Sequence, residues 1–171
     1  MSRFRYFLTF CLVTVLLGAV GHHSLANEKT RGAAAFDRLI SLVGEWEGKS
    51  SQGPAKLTYT LVSGGTALME RLQSANEPEM ITLYTLDGDH LMVMHYCSSG
   101  NQPQMRTAAI TELNGPFAFK LVQVTGMKSP EEGHMSGLVL TMPDKDHLLQ
   151  EWSYVDKGKT QSDVFRFTRK S

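Results

Sequence analysis

Residues 80–97, MITLYTLDGDHLMVMHYC, decide the fold class. Two apolar runs, 80–86 and 90–97, lie on either side of Asp87-Gly88, and an Asp-Gly pair in that position is a strong signal for a tight turn. The stretch therefore predicts a β-hairpin. Runs of the same kind continue in both directions along the chain, with turn residues about every 8–12 positions, which is typical of an all-β sandwich or barrel.

About nine strands are predicted in this way. They are the two strands of the hairpin together with KLTYTLV (56–62), TALMERLQS (66–74), QMRTAAITEL (104–113), FAFKLVQV (117–124), MSGLVLTM (135–142), HLLQEWSYV (147–155) and SDVFRFT (162–168), and a first strand that starts near Glu45 precedes these nine. No long helical pattern separates them, which argues against a parallel α/β sheet. Up-and-down antiparallel order favours a closed barrel of about 8–10 strands, because closure removes exposed sheet edges. A barrel of about eight strands has room for packed side chains or one small ligand.

A short amphipathic helix precedes the strands. Phe36, Leu39, Ile40 and Val43 are spaced to share one helical face, and Gly44 is placed to end the helix. We expect about two turns of helix that lead into the first strand. The predicted organisation is a flexible entry segment over 27–35, followed by one barrel domain over 36–171.

The first residues predict export. Arg3 and Arg5 form a basic start, an apolar run follows, and Ser24-Leu25-Ala26 supplies the small residues of a cleavage site. Residues 1–26 are thus predicted to be a signal peptide, and the protein to be periplasmic or secreted. The apolar run is short for a membrane span, so we expect no stable membrane insertion after cleavage. An uncleaved anchor is the alternative.

Composition narrows the classes of partner. Removal of residues 1–26 leaves 15 basic and 17 acidic residues, and no cluster of Lys and Arg stands out. The net charge of −2 and the lack of a basic cluster offer a polyanion no positive surface, so nucleic acid is not an expected partner. Cys97 is then the sole cysteine and has no partner for a disulfide within the chain. Cys97 is either buried and inert, or a ligand to a bound group, or paired with a cysteine of a second chain. The last alternative would make the protein an oligomer.

Several short motifs resemble those of lipocalin-like barrels of the calycin group. Gly44-Glu45-Trp46 opens the first strand directly after a short helix, and FRFTR (165–169) closes the last one. The string HYCSSGNQPQM (95–105) and the later His134-Met135 are similar to a set of uncharacterised exported bacterial proteins. The resemblance covers most of 36–170 and implies a lipocalin-like up-and-down barrel.

The resemblance also implies structural and cofactor roles. In lipocalin-like barrels the tryptophan packs at the closed end beneath a late arginine, which would place Trp46 near Arg166 or Arg169. Haem-binding barrels of the nitrobindin type have the same general layout and use one histidine as the iron ligand. That ligand position does not align with a particular histidine here.

The strand over 90–97 carries the richest set of candidate ligands. His90, Met92, Met94 and Tyr96 share one face, and Leu91, Val93, His95 and Cys97 share the other. The methionine face suits Cu(I) or, more simply, fills core volume. His95 and Cys97 with His134 make a candidate zinc or copper set. A Cys–His nucleophile would need an orienting acid from another strand, such as Glu70, Glu151 or Asp163. We rank catalysis last.

The polar stretch that follows is either an ordinary turn or part of a site. Gly100, Asn101 and Pro103 are typical turn residues. In the functional interpretation, Asn101, Gln102 and Arg106 lie at a barrel mouth, where Arg106 could hold a carboxylate.

Together these features predict a barrel that binds a small, mainly apolar molecule. The predicted apolar lining is Met92, Met94, Phe119, Leu138 and Trp152. The predicted polar contacts are His95, Cys97, Asn101, Gln102, Arg106 and His134. No cofactor is required by this interpretation. The alternatives are a haem, copper or zinc site, and a protein-interaction module whose barrel core is solid.

Overall fold

The computed structural model describes residues 29–171, so the predicted signal peptide lies outside the described residues. Ten antiparallel strands form a closed barrel in which each strand pairs with its neighbours in sequence and the first pairs with the last. The predicted all-β, up-and-down antiparallel barrel is therefore confirmed. Within 29–171, no helix is long and apolar enough to cross a membrane.

One helix, α1 (Arg31–Ile40), precedes the strands. The strands are β1 (Gly44–Ser50), β2 (Gly53–Val62), β3 (Ala67–Ser74), β4 (Met80–Asp87), β5 (His90–Tyr96), β6 (Gln102–Thr107), β7 (Phe117–Thr125), β8 (His134–Thr141), β9 (His147–Asp156) and β10 (Lys159–Arg169). A short 3-10 turn over Ser63–Gly65 connects β2 to β3.

The hairpin of β4 and β5 forms as its sequence predicts. Asp87 pairs with His90, which leaves Gly88 and Asp89 as a two-residue turn. Gly88 has a φ of 59°, a left-handed conformation that glycine adopts without steric cost. Because the turn fixes the register, Leu91, Val93 and His95 all face the barrel interior.

Helix α1 begins earlier than the sequence predicted. Residues 31–35, predicted to belong to the flexible entry segment, form its first half, because the Thr30 side chain accepts a hydrogen bond from the backbone N–H of Ala33. Gly32 lies against the β4–β5 turn so closely that a Cβ atom there would be 2.2 Å from the carbonyl oxygen of Gly88. The helix ends at Ile40, and Val43, predicted to share its buried face, is 43% exposed.

Arg169 joins the end of β10 to the segment between α1 and β1 at this end of the barrel. The guanidinium of Arg169 lies 4.2 Å from the ring of Trp46 and donates hydrogen bonds to the carbonyl oxygens of Ser41 (2.8 Å) and Val43 (2.9 Å). This is the packing that the lipocalin resemblance implies for a late arginine, whereas Arg166 is exposed on the outside of β10. Below we call this the closed end.

The connection between β6 and β7 differs from the predicted hairpin. The sequence predicts a strand through residue 113, but β6 ends at Thr107 and residues 108–116 form a loop across the closed end. The backbone N–H of Ile110 donates to the carbonyl oxygen of Asp89 at 2.8 Å. The Arg38 side chain donates to the carbonyl oxygens of Leu113 and Gly115. These contacts replace strand pairing, and they join segments far apart in sequence.

Candidate functional site

The barrel contains a cavity of about 520 Å³ at the end opposite α1, which we call the open end. Its apolar wall consists of Leu72, Met80, Met135, Trp152 and Phe165. The remaining lining residues are polar or contain sulfur: Ser51, Gln52, Ser74, Glu77, His95, Cys97, Ser98, Ser99, Tyr154, Gln161, Ser162 and Asp163. The interior is thus not solid at this end, and the cavity is within the size range of small-molecule sites.

His95 is the most deeply buried polar side chain of the cavity wall, with 1% of its surface exposed. Its Nδ1 atom hydrogen-bonds to Oγ1 of Thr82 at 2.9 Å, and its ring packs against Trp152 with 4.7 Å between the ring centroids. The other ring nitrogen, Nε2, is buried and has no hydrogen-bond partner. A buried polar atom without a partner is costly, which makes Nε2 a natural point of attachment for a ligand.

Burial also fixes the charge of His95. It lowers the pKa of the imidazole from 6.5 to about 4, because the positive form loses its hydration inside the protein. At neutral pH the cavity therefore presents a neutral imidazole.

A buried network around Glu70 lies next to this histidine in the barrel core. Oε2 of Glu70 accepts hydrogen bonds from the hydroxyls of Tyr59 (2.6 Å) and Tyr84 (2.7 Å) and from Nε2 of Gln150 (2.7 Å). Nε1 of Trp152 donates to Oε1 of Gln150 at 3.0 Å, so the network reaches the cavity wall. Burial raises the pKa of Glu70, and the donated hydrogen bonds oppose that rise.

The charged groups on the cavity wall are all acidic. Burial of Asp163 opposes its ionisation, but hydrogen bonds from Ser50, Ser51 and Val164 more than offset this and lower its pKa. Glu77 is exposed, and its Oε2 atom accepts a hydrogen bond from the Ser98 hydroxyl at 3.3 Å. Among residues 29–171, no lysine or arginine lines the cavity. The site therefore offers no positive charge to a ligand.

Three of the predicted site residues, His95, Cys97 and Trp152, line this cavity. Phe119 and Leu138, predicted as pocket wall, face the interior but are packed in the core, where Phe119 lies edge-on to Tyr84. The core fills that part of the barrel and leaves the free volume nearer the open end.

Met92 and Met94 do not reach the cavity, and here the prediction needs correction. They alternate with the buried Leu91, Val93 and His95, so they lie on the outer face of β5. The prediction placed residues from both faces of one strand in the same pocket, which the two-residue period of a strand does not allow. The sequence left the choice of face open because both faces are mostly apolar.

The polar residues predicted at the barrel mouth form their contacts away from the cavity. Asn101 is fully buried, and its Nδ2 atom donates to the carbonyl oxygen of Gly133 at 2.9 Å. Gln102 and Arg106 lie on the outer face of β6, where Arg106 forms an ion pair with Asp87 at 3.1 Å. These three side chains therefore stabilise loops and neighbouring strands, and none of them lines the cavity.

The predicted metal set is not brought together. His134 lies at the start of β8 beside an outer groove, and its Nδ1 atom hydrogen-bonds to the carbonyl oxygen of Glu132 at 2.9 Å. It is absent from the wall that holds His95 and Cys97. Within residues 29–171, no group of three or more His, Cys, Asp or Glu side chains is close enough to hold a metal ion.

The Cys–His pair lacks the geometry of an activated nucleophile. His95 uses Nδ1 for Thr82, and no hydrogen bond joins it to Cys97 in the part of the chain that the structure describes. Of the three acids considered for orientation, Glu151 is exposed and Glu70 is held by tyrosines. Asp163 lines the same cavity but accepts hydrogen bonds from the backbone N–H groups of Ser51 and Val164.

The sequence reasoning missed the network around Glu70, although the chain carries a signal for it. Leu68, Glu70 and Leu72 alternate along β3, so an acidic residue occupies an inward position between two leucines. An inward carboxyl group predicts buried donors on neighbouring strands. Which residues supply those donors depends on strand register, and the sequence does not reveal it.

Comparison with known proteins supports the fold alone. No protein-family model matches the chain, and no curated protein matches it. Among solved structures, the crystal structure of Rv2717c from M. tuberculosis is similar, with a TM-score of 0.58 and 13% identity over 81% of this chain and 99% of that one. A protein of unknown function from the DUF3598 family of Nostoc punctiforme has a TM-score of 0.53 and 16% identity over 77% of this chain and 49% of its own. At coarse level, the neighbours and the closed barrel fit the lipocalin-like layout.

Proposed function

We propose that this protein is exported and that it binds a small, mainly apolar molecule, without catalysis, in the cavity at the open end of its barrel. The observation that carries the proposal is the cavity of about 520 Å³ with a buried, unpartnered Nε2 atom of His95 on its wall. Ligand sites in proteins combine an apolar lining with a few placed polar groups, and this cavity has both. The basic and apolar start of the chain supports export.

The difference between the two ends of the barrel supports a binding role over a purely structural one. At the closed end, the helix and the loop over 108–116 cover the barrel. The side chains of Arg38 and Arg169 donate hydrogen bonds to backbone carbonyl oxygens there. At the open end, Leu72, Met80, Trp152 and Phe165 each expose less than a tenth of their surface and still line free space. Free space next to large apolar side chains forfeits packing energy that a bound apolar molecule would restore.

The first test is a native mass spectrum of the protein purified after expression of the whole 171-residue chain in a bacterial host supplied with haem and copper. We expect cleavage after Ala26 and an added mass that matches an organic molecule. A haem or copper mass would instead favour the alternative of a cofactor site centred on His95. A chain that keeps residues 1–26 would contradict export with cleavage.

A matched pair of variants tests the location of the site. Met135 lies on the cavity wall, whereas Met94 lies on the outer face of the barrel, and both are half-buried. Titration with Nile red, an uncharged apolar dye, should show saturable fluorescence at one dye per chain. Met135→Trp should abolish this signal by filling the cavity, and Met94→Trp should keep it. Equal binding by both variants would place the dye elsewhere and contradict the proposed site.

A further inference from the structure

We propose that the ligand of this cavity is an uncharged molecule whose hydroxyl group forms a hydrogen bond with Nε2 of His95. This inference rests on the proposed function and adds the chemistry of the ligand's polar end. It depends on three features of the barrel: the donors that hold Glu70, the row of side chains that joins Glu70 to His95, and the charges on the cavity wall.

The first feature is the set of donors around the Glu70 carboxyl group. Its Oε2 atom accepts from two tyrosine hydroxyls at 2.6 and 2.7 Å, together with an amide N–H at 2.7 Å. These donors hold Glu70 in the core, and Glu70 does not line the cavity. A ligand therefore meets His95 and not this acid.

The second feature is a row of three inward side chains on adjacent strands. Glu70 of β3 pairs with Thr82 of β4, and Thr82 pairs with His95 of β5. The Thr82 hydroxyl contacts Nδ1 of His95 at 2.9 Å, and Oε1 of Glu70 has no hydrogen-bond partner among the described residues. The row therefore occupies Nδ1 of His95 and leaves Nε2 for the cavity.

This row leaves Nε2 as the open side of the His95 ring. A neutral imidazole has one N–H, so Nε2 is a donor where Nδ1 accepts from Thr82 and an acceptor where Nδ1 donates to it. A hydroxyl group both donates and accepts, so it satisfies Nε2 in either tautomer. The buried atom without a partner therefore suits a hydroxyl group of the ligand.

The third feature is the charge around the ligand. An anionic head group would face Glu77 and Asp163 and would find no lysine or arginine on the described cavity wall. A cationic head group near His95 would lose its hydration against Trp152, while Asp163 is already bonded to backbone N–H groups. An uncharged hydroxyl group avoids both costs. Its apolar body would lie along Leu72, Met80 and Met135.

Three probes with the same alkyl chain test the head group: 1-decanol, decanoate and decylammonium. Displacement of Nile red at neutral pH gives the affinity of each probe for the mature protein. We expect 1-decanol to bind tightest, with decanoate and decylammonium each weaker by about tenfold or more. Equal affinity for the three would leave the binding function standing and overturn the head-group inference. Tighter binding of either charged probe would also overturn it.

Two measurements separate the hydrogen bond from general packing. His95→Phe keeps an aromatic ring but removes Nε2, so the affinity for 1-decanol should fall by about three- to tenfold while that for decanoate changes little. Nitrogen NMR of the wild-type protein labelled at histidine should show a neutral His95, and 1-decanol should shift the Nε2 resonance. An Nε2 resonance that 1-decanol leaves unchanged would overturn the inference even if the variant fails to fold.

Discussion

The burial of His95 predicts a specific loss of stability in acid. Its pKa is 6.5 in the unfolded chain and about 4 in the folded protein, because burial disfavours the charged imidazole. The folded pKa is the lower of the two, so the unfolded chain binds the extra proton first as the pH falls. His95 therefore leaves stability intact above about pH 6.5 and removes it progressively down to about pH 4.

The size of the effect follows from the two pKa values. Each unit of difference between the folded and unfolded pKa corresponds to about 1.4 kcal/mol of unfolding free energy. For His95 this gives a loss of about 2 kcal/mol between pH 7 and pH 5, and about 3 kcal/mol by pH 4. Because only 1% of the His95 surface is exposed, solvent screening does little to reduce this loss.

Urea unfolding of the wild type, His95→Phe and His95→Gln at pH 7 and pH 5 isolates this contribution. Both variants lack the titrating group, and the glutamine variant keeps a polar contact for Thr82. The stability of the wild type relative to each variant should fall by about 2 kcal/mol from pH 7 to pH 5. If all three proteins lose stability in parallel, His95 does not resist protonation and the reasoning fails.

Three further substitutions test the core and the closed end. Glu70→Ala should lower the unfolding free energy by about 3–5 kcal/mol, since it leaves two buried tyrosine hydroxyls without their acceptor, and Glu70→Gln should cost clearly less; urea unfolding measures both. Arg169→Ala should cost about 1–3 kcal/mol through its lost ring and carbonyl contacts, whereas the exposed Arg166→Ala should stay within about 0.5 kcal/mol, and equal effects would contradict the assigned role. Gly32→Ala should lower the melting temperature in calorimetry, because its Cβ would meet the carbonyl oxygen of Gly88; an unchanged value would mean that the helix docks differently.

The sequence predicted those parts of the fold that depend on local patterns. The turn at Gly88 and the two-residue period on either side of it predict β4 and β5 almost to their ends, because both signals lie within the segment itself. The loop over 108–116 was predicted as strand since Ile110 and its neighbours fit a strand pattern. Arg38 holds that loop outside the sheet through hydrogen bonds to the carbonyl oxygens of Leu113 and Gly115. Because Arg38 is distant in sequence, the loop segment itself carries no signal of this contact.

The site was predicted only in part for a similar reason. His95, Cys97 and Trp152 belong to the cavity, and the unusual composition around residue 95 pointed to the first two. Met92 fits the pattern of a pocket residue equally well because β5 is apolar on both faces, so alternation does not identify the inner face. The Glu70 network next to His95 joins side chains from four strands, and it requires a register that only the three-dimensional structure provides.

The two ends of the barrel should respond differently to mutation, and this difference separates stability from binding. Arg169 is bonded to backbone carbonyl groups at the closed end, far from the cavity wall. Arg169→Ala should therefore weaken the fold while leaving the Nile red affinity of the remaining folded protein unchanged. Met135→Trp should abolish Nile red binding while leaving the stability of the fold nearly unchanged, because it fills free space without removing a hydrogen bond. If each substitution changed both the Nile red affinity and the stability of the fold, the open end would be coupled to the closed end through the core. Ligand binding would then affect the stability of the whole barrel.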